Sequence, residues 1–224
     1  MRTQLLFSLA AGLILMTGTL TTAPAFADDD DVQRYAVTVT NLTRGQILTP
    51  PVVISHNRDF ILFTPGAPAS PELATLAEDG MTGPLLGLLA TLPAVYDSAV
   101  STGPVLPGHS VTVEITTSGK FNTISAVGML ASTNDGFFAV KGVTAPKRGD
   151  ATVEAEAYDA GSEANTESCA FIPGPPCGHP GVRDTAGAEG YVHIHAGIHG
   201  IGNLTPAMHD WRNPVAHVTI HRLQ

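Results

Sequence analysis

The chain has 224 residues, with 11 Lys and Arg against 20 Asp and Glu, and a formal net charge of −9. So acidic a balance excludes a general binder of nucleic acid or of anionic membrane surfaces, which need positive patches. It suits cation binding or plain solubility. The length fits one domain with a true core, and two cysteines are too few for a disulfide-built miniprotein.

The N-terminus reads as an address. Arg2 precedes an apolar run from Leu5 to Leu20, and Ala25-Phe26-Ala27 offers the small residues that a signal peptidase requires. A signal peptide over 1–27 is therefore expected, and with it export to the periplasm or beyond the cell. Gly12, Thr17, Gly18 and Thr19 interrupt the run, and no later stretch is apolar enough to span a bilayer. Residues 28–33, with the run Asp28 to Asp31, read as a solvated acidic tail, because a loose segment loses chain entropy when it wraps an ion.

From Arg34 onward the chain reads mostly as strands. Residues 34–42 alternate Tyr35, Val37 and Val39 with Ala36, Thr38 and Thr40, the two-residue period of a half-buried strand. Residues 46–55 are β-rich but carry Pro50 and Pro51, which predicts a bent or edge strand. Residues 60–68 read as loop. Ser70-Pro71-Glu72 starts a helix that carries Leu73, Leu76 and Ala77 inward and stops at Gly80. Thr82-Gly83-Pro84 starts a second short helix reaching Leu92, and its leucines read as core.

Strands follow at 108–117, 121–130, 137–143 and 152–158, with a hairpin turn at Asn134-Asp135-Gly136. A Pro- and Gly-rich loop over 168–185 holds Cys169 and Cys177, which are expected to pair in an oxidising compartment. Residues 191–198 alternate again. A turn at Trp211-Arg212-Asn213-Pro214 leads into a last strand over 215–223; Trp211 reads as core-packed, or else as an exposed aromatic for glycan or protein contact. Seven or eight short strands, with helix confined to one insertion, predict an all-β fold: an antiparallel β-sandwich over 34–224.

Two acidic turns stand out, Asn134-Asp135-Gly136 and Asp159-Ala160-Gly161-Ser162-Glu163. Singly, each is an ordinary turn. Jointly, Asp135, Asp159 and Glu163 form a candidate calcium set, since calcium takes six to eight oxygens and turns at one end of a sandwich can bring them together. Three histidines, His193, His195 and His199, form a second candidate. His193 and His195 would share a strand face, the spacing of a zinc site; the plain alternative is a solvent-facing strand. No Gly-x-Ser-x-Gly elbow, Cys–His pair or phosphate loop occurs. The expectation is a non-enzymatic protein without catalytic residues, the alternative a metal-dependent hydrolase or zinc carrier built on the histidines.

The segments YAVTVTNLT, GPLLGLLA, GPVLPGHSVTVEI, MLASTNDGFFAV, AYDAGSEANTE, GYVHIHAGIHG and DWRNPVAHVTI, in that order, resemble the spondin N-terminal domain family, above all its exported bacterial branch. The resemblance covers residues 35–223. It implies a C2-like sandwich, calcium at Asp135, Asp159 and Glu163, and a role in extracellular recognition or adhesion toward a surface protein or glycan. Two departures bear on the ion. Gly136 stands where animal members carry Trp, and Glu163 stands for their second Asp, one methylene longer.

Overall fold

The computed structural model describes residues 32–224. The expected signal peptide and the run Asp28 to Asp31 lie outside the described residues. Strand β1 (Val32–Asn41) begins two residues earlier than the alternation suggests. Val32 and Gln33 pair with Ser118 and Thr117, so they belong to the sheet and not to the tail. It is followed by β2 (Val52–His56), α1 (Pro71–Asp79), α2 (Gly83–Leu89), β3 (Val95–Val100), β4 (Ser110–Ser118), β5 (Thr123–Met129), β6 (Gly136–Thr144), β7 (Asp150–Asp159), β8 (His193–Ile194), α3 (Pro206–His209) and β9 (Ala216–Arg222).

All these strands pair antiparallel in the order β3-β2-β5-β6-β7-β9-β1-β4, with β8 on β7. Strand β7 carries the fold from one layer to the other. Its first half, Asp150 to Ala155, pairs with β9; its second half, Glu156 to Asp159, pairs with β6. The path nearly closes on itself, because Thr116 of β4 donates through its backbone N–H and its hydroxyl to Asp97 Oδ2 of β3, at 2.9 and 2.5 Å. The fold is thus all-β, with its helices in one insertion and one further turn.

Two cores follow from the alternation. Val37 and Val39 of β1, Val113 and Ile115 of β4 and Ile220 of β9 face Val53, Ala126, Phe138 and Val140 inside the sandwich. The opposite face of β2, β5, β6 and β7 presents Val52, Ile54, Val127, Phe137 and Tyr158 to Leu73 and Leu76 of α1 and to Leu85 and Leu89 of α2. Strands β2 and β5 are therefore buried at every residue. This corrects the edge-strand expectation for 46–55. Pro50 and Pro51 fall before β2, where their missing N–H groups cost no ladder bond, and β2 lies inside the sheet between β3 and β5.

Helix α1 starts where expected: Ser70 Oγ accepts from Leu73 N–H at 3.2 Å, and Gly80 ends it at φ 67°. Helix α2 stops at Leu89 and not at Leu92. The alternation over 191–198 yields only the two-residue β8, since Gly190 (φ 80°) and Gly197 (φ 94°) turn the chain out of the extended region on either side. Cys169 and Cys177 form a disulfide within the 168–185 loop.

Candidate functional site

Register brings the acidic turns together. Asp135 directly precedes β6 and Asp159 ends β7, and the pair Gly136 to Asp159 closes the ladder there. The chain then folds back sharply at Gly161 (φ 66°). A Cβ at that position would lie 2.3 Å from the Tyr191 carbonyl oxygen, so only glycine lets the turn lie against the 191–193 segment. Asp135 Oδ2 fastens the turn, accepting from the backbone N–H groups of Ser162 and Glu163 at 2.7 and 3.0 Å and from Ser162 Oγ at 3.1 Å. Asp159 Oδ1 accepts from Gly161 N–H at 2.7 Å and Oδ2 from Asn165 Nδ2 at 2.5 Å. Glu163 Oε1 accepts from Asp184 N–H at 2.9 Å.

These carboxylates are buried and incompletely satisfied. Asp135 Oδ1 and Glu163 Oε2 have no hydrogen-bond partner. Burial, with the Asp159 charge second, pushes the Asp135 carboxyl from its ordinary 3.8 to about 7. Burial also pushes Glu163 up to about 8, helped by Glu78 and Asp135. Asp159 is raised too, chiefly by burial, against the opposing hydrogen bonds from Asn165 and Gly161. A buried carboxylate without its full set of donors holds a proton or gathers a cation.

His193 supplies the sharpest geometry. It faces Asp159 across the β7–β8 ladder. Its Nδ1–H donates to the Ile194 carbonyl at 3.0 Å, which leaves the lone pair on Nε2. That atom is buried, has no hydrogen-bond partner and lies 3.6 Å from Asp159 Oδ1. A nitrogen lone pair and a carboxylate oxygen at that separation repel unless a proton or a metal cation sits between them. Glu189 completes the group: one ligand atom each from Asp159, Glu189 and His193 lie within 4.8 Å of one another. That spread matches donors about 2.0–2.4 Å from a shared ion. The outer contacts fit as well, since a metal-bound imidazole typically donates its other N–H to a carbonyl, and Asn165 Nδ2 reaches both Asp159 and Glu189, the latter at 3.4 Å.

The structure therefore regroups the residues singled out in the sequence. Asp135, Asp159 and Glu163 share one rim, but among the described residues the three-ligand group within 4.8 Å is Asp159, Glu189 and His193. His195 is turned inward. Its Nδ1 accepts from Gly197 N–H at 3.0 Å, so the neutral ring carries its proton on Nε2 and offers no lone pair there. Burial pushes its pKa down to about 3, and the ring packs 4.9 Å from Trp211, itself largely buried. His199 is exposed, and its backbone N–H goes to Glu167 Oε1. Among the described residues, the three histidines are not grouped within ligand distance of one another.

Sequence reasoning missed Glu189, which sits alone between Ala188 and Gly190 with no partner at a telling spacing. It also missed Glu167. That buried carboxylate accepts from the backbone N–H groups of His199, Gly200 and Ile201 at 2.5, 2.7 and 3.0 Å, and so fixes the loop that follows β8. Comparison of the chain with family models gives no match, and comparison with curated proteins gives none either.

Proposed function

We propose that the chain is an exported, non-enzymatic recognition domain of the spondin type that holds a divalent cation through Asp159, Glu189 and His193. The carrying observation is the buried His193 Nε2 lone pair facing Asp159 Oδ1 at 3.6 Å with Glu189 beside them. One imidazole with two carboxylates is a donor set for zinc or a related transition ion, whereas calcium takes oxygen alone. The resemblance of the ordered sequence segments to spondin domains supports the recognition role, with a surface protein or glycan as partner. The Cys169–Cys177 disulfide fits an oxidising compartment, and among the described residues no helix is long and apolar enough to cross a membrane.

A second reading, calcium on Asp135, Asp159 and Glu163, is favoured by the orphaned oxygens Asp135 Oδ1 and Glu163 Oε2. One experiment separates the two. Untagged protein is stripped with EDTA and titrated with zinc and with calcium while melting is followed. A transition-ion site gives zinc-dependent stabilisation, about 2.7 kcal/mol at a hundredfold excess over Kd, which His193→Ala abolishes and Asp135→Asn leaves in place. Calcium stabilisation that survives His193→Ala and is lost in Asp135→Asn selects the second reading. Stabilisation by neither ion refutes both.

A further inference from the structure

Strands β1, β9 and β7 are neighbours, and at the end of the sandwich remote from the acidic rim they stop together: β1 begins at Val32, β9 ends at Arg222 and β7 begins at Asp150. Between them lies an open cavity of about 430 Å³. Its wall carries Arg34, Lys147, Arg148 and Arg222, four of the 11 Lys and Arg in a chain of net charge −9. Like charges gathered at one strand end raise the local positive potential and attract anions.

Among the described residues, Arg34 is paired with Glu114 while the other three cations face no carboxylate partner. Arg222 is held in place by neutral acceptors, donating from Nη1 to the Lys147 carbonyl at 2.6 Å and from Nη2 to Gln33 Oε1. Its guanidinium is thereby positioned but not neutralised. Lys147 and Arg148 make no ion pair among the described residues. Of the nearby acids, Glu114 pairs with Arg34 of the same wall at 2.5 Å, and Asp150 lies 2.5 Å from His221, a pair that is ionic only when the histidine is protonated. A fixed guanidinium flanked by an ammonium and a second free guanidinium is a recognition set for tetrahedral oxyanions.

We infer that this cavity is an anion-binding site for the tetrahedral oxyanion of a sulfate or phosphate ester. It stands about 30 Å from the acidic rim along β7, given the rise of a strand, and does not depend on the cation. A ligand spread over both ends would meet opposite charge at each.

The test is calorimetric titration of the full chain with sucrose octasulfate and, separately, with inositol hexakisphosphate. The two probes distinguish sulfate from phosphate esters. Binding to either, weakened about tenfold or more in Lys147→Gln/Arg148→Gln, falling with added salt and unchanged in EDTA or in His193→Ala, supports the site. The double variant should melt with the parent chain, because both side chains are exposed. Undiminished binding in the double variant overturns the inference, as does absence of binding to both probes. Binding that emerges only when Asp28 to Asp31 are changed to Asn also overturns it, because the occupant is then the chain's own acidic run. The EDTA and His193→Ala arms keep this result separate from the fate of the cation site.

Discussion

Gly161 shows how one residue can decide the geometry of the acidic rim. Its φ of 66° lies in the left-handed region, and its missing Cβ leaves room for the Tyr191 backbone. Gly161→Ala should cost at least about 1–2 kcal/mol for the backbone conformation alone. The clash should also push the 191–193 segment outward and separate His193 from Asp159. Urea denaturation reads the first effect and zinc titration the second; the variant should lose zinc affinity even where it remains folded. Residue chemistry also explains what the sequence could convey about this rim. Asp135, Asp159 and Glu163 were legible because turn residues around them announce the turns. Glu189 was not, because a loop ligand has no periodicity, and its value arises only from the fold placing it beside Asp159 and His193. His193 was legible by type but not by partner, since the tautomer that frees Nε2 is set by the Ile194 carbonyl.

At the scale of elements, burial on one face or two governs what can be read. Strands β1 and β4 and the first half of β7 alternate because one face meets the core and the other meets water. Strand β2 is enclosed on both faces, so its sequence VVIS says strand but not interior strand. Strand β3, VYDSAV, escaped notice because Asp97 and Ser98 break the apolar pattern of a half-buried edge. The 191–198 segment misled in the other direction, its alternation being cut short by flanking glycines. Packing between elements is tight where β5 meets β6. Gly128 lies opposite Phe138, and a Cβ at Gly128 would come within 2.6 Å of that ring. Phe138→Ala should therefore cost about 3–5 kcal/mol in chemical denaturation, whereas Tyr96→Ala, at a half-exposed edge position, should cost distinctly less.

For the molecule as a whole, the buried acids make stability depend on pH in an unusual direction. Asp135 and Glu163 rise from 3.8 and 4.5 to about 7 and about 8 because burial penalises their charged forms. The folded chain thus keeps protons that the unfolded chain releases. The stability contributed by the protonated carboxyls is complete below about pH 4 and is lost as pH climbs through about 7 and 8. Thermal melts in EDTA should show the midpoint falling across that window. Asp135→Asn should flatten the fall, since an amide does not ionise. A pH-independent midpoint in the stripped protein would show that these groups ionise without penalty.

Because β7 belongs to both layers, one continuous strand ties the two layers together through its ladders with β6 and β9. A one-residue insertion in its middle would do more than loosen a ladder. It would rotate every side chain beyond it to the opposite face, withdrawing Asp159 from His193 while the pairing of β9 with Asp150 to Ala155 stayed intact. Length along this single strand is therefore held constant by two separate demands, and substitution, not insertion or deletion, is the change it can absorb.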